Sequence, residues 1–101
     1  MEQYLRGSTP YLECKVYNNS GSPVTPSTSV QVFITDPNGI VKQATASMSQ
    51  VGTTTGEYYY VGWTVGDTDL AGIYTWTAVI TDGTEVTKKE GYFEVLGRGT
   101  T

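Results

Sequence analysis

Few side chains in this sequence could do catalytic chemistry. The chain of 101 residues contains no histidine and a single cysteine, Cys14. Without an imidazole, neither a Ser-His-Asp nor a Cys-His nucleophile can be assembled, and a zinc site of the usual kind lacks its nitrogen ligands. Cys14 alternates with Leu12 and Val16, so we expect a small buried hydrophobe and a fold without a disulfide.

The carboxylates offer two close pairs, Asp67 with Asp69 and Glu85 with Glu90. Glycoside hydrolysis would need two carboxyl groups about 5–9 Å apart in a groove, whereas these pairs fall in a turn and on a solvent-facing strand. The spacing of the aspartates could suit calcium, but the loop and closing glutamate of a helix-loop-helix site are missing. No glycine-rich loop leads from a strand into a helix to hold phosphate. We therefore predict a protein that is not an enzyme and uses no metal or cofactor.

The charge of the chain is unfavourable for binding nucleic acid. Six Lys and Arg residues against ten Asp and Glu residues give a net charge of −4, and the basic residues form no stripe along which phosphates could bind. Lys88-Lys89 is followed at once by Glu90, which is typical of a solvated strand edge. Since no apolar run approaches the ~20 residues of a membrane helix, we expect neither a nucleic acid nor a membrane as partner.

The first residues of the chain do not resemble a secretion signal, because they lack a basic region followed by an apolar one. This favours a protein that is made and used without export of its own. A module cut from a larger secreted protein would have the same sequence, so both origins stay open at this point.

Aromatic and β-branched residues determine the predicted elements. No stretch has the i, i+3, i+4 spacing of an amphipathic helix, so we predict an all-β fold. Residues 56–82 contain both tryptophans and predict two antiparallel strands joined by a loop. In the second of these strands one face is formed by Tyr74, Trp76, Ala78 and Ile80. The opposite face is threonine-rich, with Ile73 and Val79 as apolar exceptions, as in a strand with one buried side.

The first of these two strands changes phase. Tyr58 and Tyr60 share one face, whereas Trp63 and Val65 fall on the opposite one. We predict that a β-bulge at residues 61–62 absorbs the extra residue. The alternative is a strand that is apolar on both faces.

Alternating runs bounded by turn residues predict the remaining strands over residues 4–6, 11–17, 29–35, 40–45 and 85–96. Residues 46–55 predict a weak edge strand or a loop, with Met48 or Val51 turned toward the core. Gly91 predicts a kink in the last strand. Hairpin turns are expected at residues 36–39, with the glycine in the left-handed bulge position, and at residues 82–83.

About seven strands at this spacing suit a two-sheet antiparallel sandwich. We predict a single domain over residues 1–96, followed by a flexible tail over residues 97–101. There is no internal repeat and no sign of a second domain in the sequence.

One segment of the sequence resembles strand F of an immunoglobulin domain. That strand carries an Asp-x-Ala/Gly-x-Tyr-x-Cys pattern, in which the tyrosine hydroxyl bonds back to nearby backbone in a tyrosine corner. Residues 69–74 keep the acidic residue, the small residues and Tyr74, and Trp76 takes the position of the cysteine. The wider chain is similar to small Ig-like domains of phage virions and bacterial surface proteins over residues 6–10, 32–39, 56–60, 71–74, 82–83 and 91–95.

The resemblance implies an immunoglobulin-like sandwich whose core is closed by aromatic side chains instead of a disulfide. The first hypothesis for its function is a non-enzymatic virion structural protein of a phage-like virus, either a capsid decoration or stabilising subunit or a head-tail component. Its partners would be the major capsid protein or other virion proteins, with copies of itself as a further candidate, and it would reside in the virion after assembly in the host cytoplasm. The alternative is an Ig-like binding or spacer module of a bacterial cell-surface adhesin or carbohydrate-active protein.

Either function would use exposed side chains on the strands and near the termini. The candidate interface residues are Tyr4, Arg6, Tyr17, Tyr59, Tyr92 and Arg98. Tyrosine and arginine are enriched in protein interfaces, although tyrosines on a sheet also pair across strands. The virion hypothesis further predicts that residues 1–6 and 97–101 are ordered mainly through neighbouring chains.

Overall fold

The computed structural model describes residues 2–18, 20–26 and 28–99. These residues form eight strands and no helix: β1 (Glu2–Arg6), β2 (Leu12–Lys15), β3 (Ser29–Thr35), β4 (Val41–Ser47), β5 (Ser49–Gln50), β6 (Glu57–Tyr60), β7 (Gly72–Asp82) and β8 (Glu85–Gly99). The predicted all-β fold is confirmed. Cys14 is a free, buried cysteine, so the fold has no disulfide.

The strands form two sheets that face each other across one core. The larger sheet has the order β1-β8-β7-β3-β4, and the smaller sheet has the order β2-β6-β5. Neighbouring strands are antiparallel except β1 and β8, which run parallel. The prediction of a purely antiparallel arrangement is wrong at this edge. The first and last strands of the chain are not joined by a hairpin, and therefore no tight turn forces them to run in opposite directions.

Both sheets contribute alternate residues to the core, as the period of a half-buried strand requires. The buried hydrophobic residues are Leu12, Cys14, Val16, Val30, Val32, Ile34, Met48, Tyr58, Val65, Tyr74, Ala78, Ile80, Phe93 and Val95. The rings of Tyr74 and Phe93 stack with their centroids 5.3 Å apart, and the Trp63 ring lies 5.8 Å from that of Tyr74. Aromatic side chains therefore fill the centre of a core that contains no disulfide. The predicted burial of Cys14 and of Met48 is confirmed.

Trp76 and Gly91 are cross-strand partners in a regular β7–β8 register. A Cβ atom at position 91 would overlap the indole ring of Trp76, which is half-buried and packs against the core. The predicted kink at Gly91 is wrong, because pairing continues without a shift through this position. The glycine instead leaves the space that the indole occupies.

The strands predicted over residues 56–82 do not pair with each other. β6 pairs with β2 and β5, whereas β7 pairs with β3 and β8. β6 ends at Tyr60, and residues 61–66 belong to no strand, so the predicted β-bulge is wrong. A segment outside a ladder is not bound to the two-residue period, so the irregular segment can turn Val65 into the core, where Tyr58 of β6 also lies.

Both predicted hairpin turns are confirmed. The N–H of Gly39 donates to the backbone oxygen of Asp36 at 2.9 Å, and Gly39 has a φ of 83°, as a type I turn with a left-handed glycine requires. The Asp36 carboxylate also accepts hydrogen bonds from the backbone N–H groups of Asn38 and Ile40. At the second turn Asp82 pairs with Glu85.

The two ends of the described chain lie side by side in the larger sheet. β1 pairs with β8 of the same chain, so the prediction that residues 1–6 are ordered mainly through neighbouring chains is wrong for Glu2–Arg6. The last strand ends at Gly99 rather than at Leu96, because Gly99 is paired with Arg6. Met1, Thr100 and Thr101, which belong to the two predicted terminal segments, lie outside the described residues.

Candidate interaction surface

The predicted interface residues do not form one surface. Tyr17 and Tyr59 lie on or next to the smaller sheet, whereas Tyr92 lies on the opposite side of the molecule, in β8 of the larger sheet. Tyr4 and Arg6 lie in the edge strand β1. Arg98 belongs to β8, and its side chain is outside the described part of the structure.

Tyr4 and Arg6 make internal contacts that hold β1 in place. The Tyr4 ring packs edge-on against Phe93, with centroids 5.6 Å apart, and its hydroxyl accepts a hydrogen bond from the Tyr11 N–H at 3.3 Å. Arg6 donates from Nε to the backbone oxygen of Asp69 at 2.9 Å and from Nη1 to that of Gly97 at 3.1 Å. These contacts give both side chains a structural role within the chain.

The loop before β7 is fixed at several points. The Asp69 carboxylate forms a salt bridge of 2.8 Å with Lys42 and accepts the N–H of Gly66 at 2.7 Å. Burial acts to raise the pKa of Asp69, but the hydrogen bonds from Lys42 and Gly66 outweigh it and lower the pKa below its usual value. The Tyr74 hydroxyl donates to the backbone oxygen of Leu70 at 2.7 Å, which is the bond that the sequence resemblance implies.

Two tyrosine surfaces lie on the side of the smaller sheet. Tyr11 stacks on Tyr59 with centroids 5.6 Å apart, and its hydroxyl donates to Glu13 at 3.3 Å. The ammonium group of Lys89 lies 6.0 Å from the ring centre of Tyr17, and Tyr17 also lines a cleft of about 200 Å³ beside the β7–β8 hairpin. Tyr11 was not among the predicted interface residues. In the sequence it only marks the start of a predicted strand, and its contact with Tyr59 depends on the pairing of β2 with β6.

The larger sheet has one face that points away from the core, which we call the outer face. It is formed by the residues that alternate with the buried ones in β3, β7 and β8, and by Val41, which is the β4 partner of Thr35. Four of the ten exposed large hydrophobic residues in the described part of the chain lie there, namely Val41, Ile73, Val86 and Tyr92. Their exposed fractions of 42–58% show that no further layer of the described chain packs over them.

The centre of the outer face is closely packed. Thr77 is only 8% exposed, and it lies between Phe33 on β3 and Glu90 on β8. Val79 and Phe33 are half-buried on the same face. The surface therefore combines threonines and half-buried apolar side chains with exposed aromatic and charged residues, a mixture that is common in protein interfaces. Ile73 and Val79 were visible in the sequence as apolar exceptions among threonines, and only the cross-strand register places them together with Tyr92.

The described residues contain no helix that is long and apolar enough to cross a membrane, and they contain no group of three or more side chains suited to holding a metal ion. Comparison with protein-family models, with curated proteins and with solved structures gives no match.

Proposed function

We propose that this chain is a non-enzymatic structural protein that binds other protein subunits through the outer face of the larger sheet. The observation that supports the proposal most strongly is the presence of exposed apolar side chains on that face, where Ile73 and Tyr92 are exposed near one end and Val86 near the other. Removal of apolar surface from water by a partner is favourable by about 25 cal/mol of free energy per Å². The charged residues around it would then select the partner.

The partner subunits in this proposal are those of a phage-like virus. The chain would be an Ig-like virion protein, acting as a capsid decoration or stabilising subunit or as a head-tail component. Support comes from the sequence resemblance to phage Ig-like domains and from the Tyr74–Leu70 hydrogen bond. In a symmetric particle even a weak contact is effective, since it is repeated at every equivalent position.

A second candidate function is the Ig-like binding module of a bacterial adhesin or carbohydrate-active protein. The observation in its favour is the exposed aromatic surface on the other side of the molecule, where Tyr11 stacks on Tyr59 beside Glu13. Such a module would bind its ligand through the smaller sheet and would leave the outer face of the larger sheet in solvent. The two functions thus use opposite sides of the same fold.

Photo-cross-linking from the two sides tests this proposal. Tyr92 is replaced by p-benzoylphenylalanine in one chain and Tyr59 in a matched control chain, each produced in host cells that assemble particles. Purified particles are irradiated, and the cross-linked partners are identified by mass spectrometry. We expect the chain to co-sediment with particles and to cross-link to a virion protein or to a second copy from position 92, with much lower yield from position 59.

Two outcomes would count against the proposal. A chain that does not co-sediment with particles contradicts the virion role. Efficient cross-linking from position 59, with none from position 92, contradicts the choice of surface and favours the binding module.

A further inference from the structure

The outer face has a symmetric arrangement of side-chain types about the Trp76–Gly91 pair. Ile73 lies beside Glu94, and Val79 lies beside Lys88. Both pairs are three residues from Trp76–Gly91, in opposite directions along the strands. On each side of the centre β7 therefore carries one branched apolar residue. β8 carries the negative charge of Glu94 on one side and the positive charge of Lys88 on the other.

The residues next to the central pair complete the arrangement. Thr75 lies beside Tyr92 in one direction, and Thr77 lies beside Glu90 in the other. The phenol of Tyr92 is a hydrogen-bond donor, and the carboxylate of Glu90 is an acceptor. Donor and acceptor thus occupy equivalent positions on the two sides of the centre.

We infer that the outer face binds a second copy of this chain through a twofold axis that crosses β7 and β8 at the Trp76–Gly91 pair. The inference rests on the proposed function, because it names the partner of the same surface. The axis lies between the two copies and is perpendicular to the strands. Each strand therefore faces the same strand of the second copy and runs antiparallel to it. The axis places Ile73 opposite the second copy's Val79, and every such contact occurs twice.

The same axis places one pair of opposite charges and one hydrogen-bond donor and acceptor across from each other. Lys88 lies opposite the second copy's Glu94, and Tyr92 lies opposite the second copy's Glu90. Gln3 donates a hydrogen bond to Glu94 at 2.9 Å, which orients the carboxylate on this face. Moving the axis by one residue along β8 would bring Glu90 opposite another Glu90 or opposite Glu94, and like charges in contact oppose association.

The size of the face is sufficient for a specific contact. β1 pairs only with the Phe93–Gly99 end of β8, so four strands, β8, β7, β3 and β4, form most of the face. At a spacing of about 4.8 Å they are about 19 Å wide, and the part of β7 from Ile73 to Thr81 is about 26 Å long at 3.3 Å per residue. The two copies together would bury about 1,000 Å², the size of a weak specific protein interface. We therefore expect a dimer of modest affinity that weakens with added salt, since charge pairs contribute to it.

Sedimentation velocity at a series of protein concentrations tests the inference through a charge exchange. Lys88→Glu and Glu94→Lys each create two like-charge contacts, so each should raise the dimer Kd by about tenfold or more. The double variant restores both pairs with exchanged signs and should return the Kd to within about threefold of the original. Lys15→Glu is the matched control: it makes the same charge change on the exposed side of the smaller sheet and should leave the Kd unchanged.

The results separate this inference from the proposed function. A chain that stays monomeric at every concentration, or a double variant that associates no better than the single variants, overturns the inference. If the monomeric chain still cross-links from position 92 to another virion protein, the proposed function stands without the dimer. A dimer that responds to the charge exchange but never co-sediments with particles supports the inference and contradicts the virion role.

Discussion

The two faces of the larger sheet are built from the same strands and differ in how far they are covered. Tyr74 and Phe93 are at most 1% exposed and stack on each other in the core. Their chain neighbours Ile73 and Tyr92 point the opposite way and are 42% and 52% exposed. The inner face thus holds the two sheets together, whereas the outer face presents apolar surface that the fold itself does not use. Substitutions on adjacent residues should therefore separate stability from binding.

The largest contrast is expected between Phe93→Ala and Tyr92→Ala. Removing the Phe93 ring leaves a cavity in the centre of the core and should lower the free energy of unfolding by about 3–5 kcal/mol. Removing the exposed Tyr92 ring should lower it by less than about 1 kcal/mol, while reducing association through the outer face. Urea denaturation of both variants measures the difference, and equal destabilisation would contradict the division between the two faces.

The next largest effect is expected from Gly91→Ala. The added methyl group would collide with the Trp76 indole, and such overpacking should cost about 2–3 kcal/mol of stability. Gly97→Ala is the matched control in the same strand, because a Cβ there meets only an ordinary contact of 3.7 Å with Ala71. Thermal unfolding monitored by tryptophan fluorescence compares the two variants. A Gly91→Ala protein as stable as the control would show that the indole can move aside freely.

Tyr74→Phe should have an intermediate effect that depends on pH. Loss of the hydrogen bond to Leu70 should cost about 1–2 kcal/mol near neutral pH. Burial raises the pKa of Tyr74 from 10.0 to about 12. The stability that comes from keeping the phenol protonated is therefore fully present below pH 10 and is lost as the pH rises toward 12. The difference between the two proteins in chemical denaturation should shrink over this range, and a constant difference would contradict the burial of the hydroxyl.

The smallest effect is expected from Asp69→Asn. The amide can still accept the N–H of Gly66, but the attraction to Lys42 is lost, and solvent screens part of it, so we expect a cost of about 0.5–1 kcal/mol at neutral pH. Because the pKa of Asp69 is lowered in the fold from 3.8, its contribution is present above that value and disappears as the pH falls through the folded pKa. The original protein and Asp69→Asn should therefore differ in stability at neutral pH and become equally stable at acidic pH, which denaturation curves of both proteins at the two pH values measure. A difference that persists at the lowest pH would show that the charge is not its cause.

The sequence predicted the inner face better than the outer one. Burial of Tyr74 and Phe93 follows from the two-residue period of a strand and from local composition, which need no knowledge of the partner strands. The turn at Asp36 was predictable for the same reason, since its hydrogen bonds are made within a few residues. The resemblance to an immunoglobulin strand also indicated the bond of Tyr74 to nearby backbone.

Features that depend on distant pairing were not predictable in this way. The parallel contact of β1 with β8 and the assignment of β6 to the smaller sheet are set by which strands meet in the folded chain. Gly91 suggested a kink because the sequence did not show Trp76 opposite it. The outer face could be predicted in part, because the tight turn after Asp82 fixes the register of β7 with β8. This register brings Ile73, Val79 and Tyr92 to one side of the sheet.

Cross-linking yield from position 92, measured with and without Ile73→Asp, tests the binding role of the outer face most directly. A buried partner contact would not tolerate an unpaired carboxylate at Ile73, so the yield should fall to background. Tyr11→Asp, on the opposite side of the molecule, should leave the yield unchanged. An Ile73→Asp protein that is folded and still cross-links as efficiently as the original would contradict the account.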